Sequence, residues 1–214
     1  MFYGGNVLVP TEPAIDLVRL LSEGTYTTFP QALKEFISNA FDADAARVDI
    51  KIDDDGNGIT IRDNGEGMTL RDFGEAFASI ARTGRGRKGV KRGRTRSGRV
   101  KIGRFGIGTL AVVAICDRFS VTSTKEGSSE GFNARMNVSA LRQRFGKGGN
   151  LSECWKFEAT KWDTEKTGTH FTEIRLEGLT SDIRGFLEKP GERKITEAIE
   201  SITQLSGIDQ LLWA

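Results

Sequence analysis

The stretch EFISNAFDADAARVDIKIDDDGNGITIRDNGEGM, residues 35–68, contains the local signals that decide the fold of this chain. Its first part belongs to a helix that we predict from about Thr28 to Ala45, with Pro30 in the first turn. Residues 47–53 and 58–63 then alternate apolar and polar side chains around Asp54-Asp55-Gly56-Asn57, a pattern typical of a hairpin. A helix followed by antiparallel strands indicates an α+β fold.

The rest of the chain continues to mix helices with consecutive hairpins. We predict further helices at 13–23, 69–80, 105–116, 181–188 and 192–205, and further strands at 118–125, 131–138, 154–161 and 169–177. Thr69 and Asp72 form a capping pair for the helix at 69–80. The segments 83–102 and 141–151 have the composition of loops, and the first could be disordered alone. This order favours a two-layer sandwich over a parallel βαβ fold.

Composition excludes several classes of protein. A length of 214 residues fits one domain with a small appendage, and no 18-residue apolar run predicts a membrane helix. The N-terminus lacks the charged and apolar regions of a secretory signal. Cys116 and Cys154 form no CxxC motif, so we expect reduced thiols in a cytoplasmic protein. The single His170 cannot make a histidine-rich metal site.

Positive charge is concentrated in one segment. The net charge is only +2, yet residues 82–104 contain eleven Lys or Arg and no acidic residue. The basic character is therefore a property of this one segment and not of the whole surface.

The helix at 28–45 places Glu35, Asn39 and Asp42 on one stripe, at spacings i, i+4 and i+7. One reading is a solvated polar face. In the functional reading, the amide oxygen of Asn39 binds Mg²⁺ and Glu35 accepts the proton of an attacking water.

The turn Asp63-Asn-Gly65-Glu-Gly67-Met68 could expose a carboxylate at the floor of a pocket. That carboxylate would accept a hydrogen bond from an exocyclic amine and so select adenine over guanine. Met68 is suited to pack on a base, and Gly67 allows close approach of the backbone. The alternative is a simple connection between a strand and a helix.

The loop Gly103-Arg-Phe-Gly106-Ile-Gly108 precedes an apolar helix and offers backbone N–H groups to phosphates. Its pattern, GxxGxG, is neither the dinucleotide fingerprint GxGxxG nor the P-loop GxxxxGK[ST]. The three motifs together indicate a nucleotide pocket.

In this order the motifs resemble those of the GHKL ATPases, which include gyrase B subunits, heat-shock chaperones, MutL repair proteins, MORC proteins and sensor histidine kinases. KEFISNAFDADA is similar to the first motif of the family, IRDNGEGMT to the second and KIGRFGIGTLAVVAICDRFSVTSTKEG to the third. TGTHFTEIRL, residues 167–176, resembles a short Gly-Thr motif on a late strand. The similarity extends over about two thirds of the chain, roughly residues 30–176.

The resemblance implies the Bergerat ATP-binding fold, a two-layer sandwich of a mixed, mainly antiparallel sheet with helices on one face. It implies ATP and Mg²⁺ as cofactors, with Glu35 as general base, Asn39 as magnesium ligand and Asp63 reading adenine with help from the Thr169 hydroxyl. It implies further nucleotide contacts at Asp42, Gly65, Gly67, Met68, Arg82, Thr83, Lys101, Gly103, Arg104, Phe105, Gly106, Ile107 and Gly108.

Three regions follow from the resemblance. We expect an N-terminal helix and extension at 1–29, the ATP-binding domain at 30–178 with a basic lid at 82–104, and C-terminal helices at 179–214. In hydrolysing members a transducer domain would begin in the last region and send a Lys to the γ-phosphate. Glu35 together with Asn39 fits that hydrolysing branch, of which the heat-shock chaperones, MutL and MORC proteins are members, better than the kinases.

The expected activity is magnesium-dependent ATP binding and slow hydrolysis to ADP and phosphate, with ATP-driven closure of the lid and formation of a homodimer. Two alternatives stay open. The chain could be a non-enzymatic switch controlled by ATP, or its basic lid could contact DNA or RNA. Phe105 is the one aromatic residue at the edge of the lid that could stack on a base.

Overall fold

The computed structural model describes residues 29–75, 93–101, 108–163, 169–188 and 210–213. Seven strands form one sheet in the order β5-β4-β3-β6-β2-β1-β7. The strands are β1 (Arg47–Ile52), β2 (Gly58–Asp63), β3 (Cys116–Thr124), β4 (Glu130–Asn137), β5 (Glu158–Asp163), β6 (Phe171–Leu179) and β7 (Gln210–Trp213). Strands β1 to β6 pair antiparallel, whereas β7 pairs parallel with β1. The predicted α+β class with a mixed, mainly antiparallel sheet is confirmed.

Helices cover one face of the sheet and form the core with it. They are α1 (Phe29–Asp42), α2 (Val112–Ile115), α3 (Val138–Arg142), α4 (Leu151–Cys154) and α5 (Ser181–Glu188), with a 3₁₀ turn at Gly108–Ala111 and a helical stretch at 70–75. Alternate strand residues such as Ile59, Phe119 and Leu176 are buried beneath them. None of the described helices is long and apolar enough to cross a membrane.

The opposite face of the sheet is polar and held by ion pairs between strands. Arg62 Nη1 lies 2.9 Å from a carboxylate oxygen of Glu173, and Arg175 pairs with Asp53. Because the side chains of one strand alternate between faces, this ion-paired face and the helix-covered face are separate environments.

Helix α1 ends in a fixed geometry that positions the next segment. Asp44 adopts a left-handed conformation with φ 59°, the N–H of Ala45 donates to the carbonyl of Ala40 at 3.0 Å, and that of Asp44 donates to Phe41. These bonds form a Schellman motif, in which Asp replaces the usual glycine. The carbonyl of Ala43 is thereby left to accept a bond from outside the helix.

Several elements differ from the predictions. The apolar helix expected at 105–116 is, in its described part, a 3₁₀ turn and the short α2, and Cys116 already pairs with Leu179 as the first residue of β3. The strand expected at 154–161 begins later, at Glu158, because 151–154 is helical. The loop predicted at 141–151 begins inside α3, and β7 was not predicted. The helices predicted at 13–23 and 192–205 lie outside the described residues.

Both cysteines are free thiols in the structure. Cys116 is buried and Cys154 is half-buried. Burial raises the pKa of the Cys116 thiol to about 12, so this group stays protonated at neutral pH.

Candidate nucleotide site

The stripe of α1 that the sequence singled out faces away from the core. Glu35 and Asp42 are half-buried and Asn39 is exposed, whereas Phe36 and Ile37 on the other side are buried. Desolvation raises the pKa of Glu35, against the opposing charge of Lys34. A carboxylate with a raised pKa accepts protons more readily near neutral pH, which suits a general base.

The end of α1 touches the glycine-rich turn after β2. The carbonyl of Ala43 accepts a hydrogen bond of 2.7 Å from the N–H of Glu66. Asn64 closes the other side, because its Oδ1 accepts from the N–H groups of Ala46 and Arg47 at 3.0 and 2.8 Å. The helix also packs against the 3₁₀ turn Gly108–Ala111. The described parts of the second and third predicted motifs therefore both contact the helical segment that carries the first.

Asp63 is the buried carboxylate of the site. It is the last residue of β2, points to the helix-covered face together with Ile59 and Ile61, and is 9% exposed. Burial raises its pKa to about 6, and bonds from the N–H groups of Gly65 and Thr172 oppose this rise. The positive charges of Arg62 and His170 oppose it too. A carboxylate desolvated in this way, with no ion pair to any cation in the described part of the chain, is typical of a group at a functional site.

Two hydroxyl residues that the sequence analysis did not single out lie beside Asp63. Asp63 is paired with Thr172 of β6, which is paired in turn with Ser123 of β3, so the three side chains form a row across the sheet. Thr172 is 6% exposed and Ser123 fully buried. Polar residues in consecutive positions of an otherwise apolar sheet face mark the floor of the candidate site.

The hydrogen bonds of Ser123 fix the direction of the neighbouring hydroxyl. Ser123 Oγ donates its one proton to the carbonyl of Phe171 at 2.7 Å and accepts from the N–H of Met68 at 2.9 Å. In the 3.3 Å contact between Ser123 Oγ and Thr172 Oγ1, Thr172 must therefore be the donor. Thr172 then offers lone pairs elsewhere, so both Asp63 and Thr172 act as acceptors.

The glycines of the turn are required by packing. A Cβ at Gly65 would lie 2.6 Å from the carbonyl oxygen of Ala43 and 2.9 Å from Asp63 Oδ1. Gly67 has φ +65°, and its Cβ would lie 2.0 Å from the carbonyl oxygen of Thr124. Met68 follows, half-buried and packed against the core. The turn therefore fits tightly against its neighbours.

Thr169 and His170 precede β6 at the same end of the sheet. Thr169 is exposed and lies three positions before Thr172, the residue that pairs with Asp63 across the sheet. The imidazole of His170 is half-buried, with Nδ1 at 2.5 Å from the carbonyl oxygen of Gly65. The role predicted for Thr169 stays a prediction.

Part of the basic segment that we predicted as a loop is organised. Within 93–101, Arg94 and Val100 form a β-bridge around a turn closed by Thr95 and Arg99. Ser97 Oγ and N–H donate to the carboxylate of Asp44, the latter at 2.8 Å. We call residues 93–101 the basic hairpin. It is anchored to Asp44, the left-handed residue that follows α1.

Most cations of the basic hairpin are occupied by contacts within the protein. Arg94 donates to the carbonyl of Gly98 at 2.7 Å, Arg96 pairs with Glu126, and Arg99 donates to the carbonyl of Ala45 at 2.8 Å. Lys101 is exposed. These contacts give the arginines a structural role, and the pair with Glu126 offsets the positive charge of Arg96.

The remaining predicted contacts belong to the lid and the phosphate loop. Gly108 opens the 3₁₀ turn, but the others lie outside the described residues: Arg82, Thr83, Gly103, Arg104, Phe105, Gly106 and Ile107. Among the described residues, no group of three or more His, Cys, Asp or Glu could hold a metal ion. Asn39, on the exposed stripe of α1, has an amide oxygen of the kind that Mg²⁺ accepts as a ligand.

Similarity to known proteins covers the same part of the chain as this geometry. The family model described as histidine kinase-, DNA gyrase B- and HSP90-like ATPase matches residues 26–169, about two thirds of the chain. The match includes α1, the turn after β2 and the segment up to Thr169. No curated protein matches the chain.

Proposed function

Because this chain belongs to the family of histidine kinase-, DNA gyrase B- and HSP90-like ATPases, whose fold implies ATP binding, we propose that it binds Mg²⁺-ATP with adenine on Asp63 and hydrolyses it slowly. One observation carries the proposal. The buried carboxylate of Asp63, whose pKa is about 6, lies at the end of β2, next to the C-terminal end of α1. The outer stripe of that helix bears Glu35 and Asn39.

The acceptors of the floor support adenine as the base. Adenine carries an exocyclic amine, which donates two protons, at the position where guanine carries a carbonyl oxygen. Asp63 and Thr172, oriented by Ser123, both offer lone pairs at this floor. Guanine would bring its own acceptor against these acceptors and leave them without a donor, which is costly in a buried site.

The outer stripe of α1 supports the assignment of the reaction. Glu35, whose pKa is raised by desolvation, takes the proton of the attacking water, and Asn39 supplies an amide oxygen to the metal. Mg²⁺, when bound with ATP, neutralises the charge of the phosphates. Asp42, one turn further along the stripe, contributes to the same site through water or a neighbouring side chain.

The finer features of the reaction are also part of the proposal. The loop 103–108 would bind the phosphates, Arg82, Thr83 and Lys101 would contact the nucleotide, and the lid at 82–104 would close on ATP and favour a homodimer. We place the chain in the hydrolysing branch with the heat-shock chaperones, MutL and MORC proteins, because Glu35 stands one turn before Asn39. We expect it to act in the cytoplasm.

The test is calorimetric titration with ATP and with GTP in the presence of Mg²⁺, followed by measurement of phosphate release. Wild type should bind ATP and not GTP, and Asp63→Asn should lose ATP binding. Glu35→Ala should bind ATP with nearly unchanged affinity but release no phosphate.

A matched control is available on the opposite face of the sheet. Asp49→Asn removes a carboxylate that pairs with Arg47 at 2.9 Å, away from the site, and should leave both binding and turnover unchanged. Equal loss of binding and turnover in Glu35→Ala would contradict its role as the base. Binding without phosphate release in wild type would favour an ATP-controlled switch over an enzyme.

A further inference from the structure

His170, the residue before β6, contacts the glycine-rich turn 63–68 that follows β2. Its Nδ1 lies 2.5 Å from the carbonyl oxygen of Gly65, although the two residues are 105 positions apart in the chain. A carbonyl oxygen only accepts hydrogen bonds, so Nδ1 must carry the proton. The imidazole is therefore a donor in both its neutral and its charged form.

Gly65 also bonds to Asp63, the carboxylate of the site, and so links it to His170. Its own N–H donates to Asp63 Oδ1 at 2.8 Å, and Ala43 leaves no space for even a Cβ on its other side. The residue is thus held by Asp63, Ala43 and His170 together. Loss of any one of these contacts should let the turn move. It should also weaken the hydrogen bond from the Gly65 N–H that orients Asp63.

His170 also affects Asp63 through its charge. An imidazolium at this position lowers the pKa of Asp63 and opposes the effect of burial, which is the larger of the two.

The other charged side chains near the turn either pair with partners of their own or lie further along the turn. On the open face of the sheet, Arg62 pairs with Glu173. Beside the turn, the charged neighbours with partners of their own are Asp44, which bonds to Ser97, Lys125, which pairs with Asp72, and Glu126, which pairs with Arg96. Glu66 in the turn is half-buried. Asp63 is the carboxylate to which His170 is linked through Gly65.

We propose that His170 is a positioning residue of the adenine pocket: its Nδ1–H holds Gly65 in place, and its positive charge keeps the Asp63 carboxylate available as the pH falls. This inference rests on the proposed function, because it takes Asp63 as the group that binds the adenine amine. It predicts two separable effects, one from the hydrogen bond and one from the charge.

Two substitutions separate these effects. His170→Asn keeps an N–H donor at the position of Nδ1 but removes the charge, whereas His170→Phe keeps a ring and removes both. Affinity for Mg²⁺-ATP is measured by calorimetry between pH 5.5 and 8.5 on wild type, both variants, Asp63→Asn and the control Asp49→Asn. Far-ultraviolet circular dichroism checks that each variant is folded.

The expected results differ between the two variants. At pH 8, His170→Phe should bind ATP about fivefold more weakly, the effect of one lost hydrogen bond, and His170→Asn should stay within about twofold of wild type. As the pH falls, both variants should lose affinity at a higher pH than wild type, because Asp63 takes up its proton more readily without the neighbouring charge.

Specific outcomes would overturn the inference. If His170→Asn had the pH profile of wild type, the charge would have no role. If His170→Phe kept the affinity of wild type and His170→Asn lost it, His170 would only fill space. If wild type did not bind ATP, or Asp63→Asn bound it normally, the adenine pocket itself would be refuted and the role of His170 with it.

Discussion

The glycine-rich turn 63–68 and the basic hairpin 93–101 both contact the end of α1, yet they are held in different ways. In the turn, a Cβ at Gly65 or Gly67 would collide with backbone oxygens of neighbouring elements. In the hairpin, a Cβ at Gly93 or Gly98 would meet no atom within 4 Å, and the contacts are made by long side chains. Glycine content alone therefore does not distinguish a rigid connection from an adjustable one.

The difference is between backbone packing and side-chain anchoring. Backbone groups of the turn bond to Ala43 and to Glu126, whose N–H donates to the Glu66 carbonyl at 2.9 Å. The hairpin depends on Asp44 and on an exposed pair, Arg96 and Glu126, whose side chains are 72% and 45% exposed. We expect the turn to unfold only with the whole domain and the hairpin to open locally.

The largest effect should come from Gly67→Ala compared with Gly98→Ala. At Gly67 the new methyl group would meet the Thr124 carbonyl and the backbone has φ +65°, so we expect a loss of roughly 3–5 kcal/mol. Gly98 has φ +90° but free space, so its loss should be about 1–2 kcal/mol. Urea unfolding measures both; equal losses would mean that packing does not distinguish the two segments.

Asp63→Asn should stabilise the protein while it removes ATP binding. The pKa of Asp63 is about 6 in the folded state and near 3.8 in the unfolded state. The folded state therefore holds the proton more tightly, and this group's contribution to stability falls as the pH rises from about 4 to 6. At pH 7.5 the amide should raise the free energy of unfolding by about 1–3 kcal/mol, and the gain should disappear near pH 4. A gain that is independent of pH would contradict the assignment.

Asp44→Gly should release the basic hairpin without unfolding α1. Glycine adopts the left-handed conformation of this position at no cost, but it cannot accept the bonds of Ser97. We expect global stability to change by less than about 1 kcal/mol and tryptic cleavage after Arg96 and Arg99 to become about tenfold faster. Mass spectrometry of the peptides identifies these sites, and Asp49→Asn is the control. Unchanged cleavage would show that the hairpin is held by other contacts.

The smallest effect should come from Arg96→Gln. Its partner Glu126 and the arginine itself are largely in solvent, so the pair should contribute less than about 0.5 kcal/mol. That small loss should vanish in 0.5 M salt, because added ions screen exposed charges. A larger loss of unfolding free energy that persists in salt would mean that the hairpin is as rigid as the turn.

The sequence predicted those parts of the fold that depend on local signals. Helix α1 and the β1–β2 hairpin follow from spacing within a few residues, and the observed bounds agree closely. The capping pair is also local: Thr69 N–H donates to Asp72 Oδ2 at 3.0 Å, and Asp72 N–H donates back to Thr69 Oγ1 at 3.1 Å. Asp63 could be singled out because a charged residue ends an apolar strand.

The remaining features depend on register between distant strands. Ser123 and Thr172 are 49 residues apart, and the pairing of β3 with β6 places them side by side. No pattern around Thr172 distinguishes it from Thr169. The apolar run that ends at Cys116 fits a helix and a strand equally well, and its last residue joins β3 because Leu179 is available as a partner. The parallel pairing of β7 with β1 is equally non-local.

The sheet order also has a consequence for synthesis. Strand β6, near the end of the described sequence, lies at the centre of the sheet between β3 and β2. Contacts between residues far apart in the chain form slowly, since a long loop must close before they stabilise anything. A growing chain that has not yet reached Phe171 already contains Glu35, Asn39 and Asp63, but Asp63 still lacks Thr172 as its neighbour. The row of Asp63, Thr172 and Ser123 therefore cannot form before Thr172 has been synthesised.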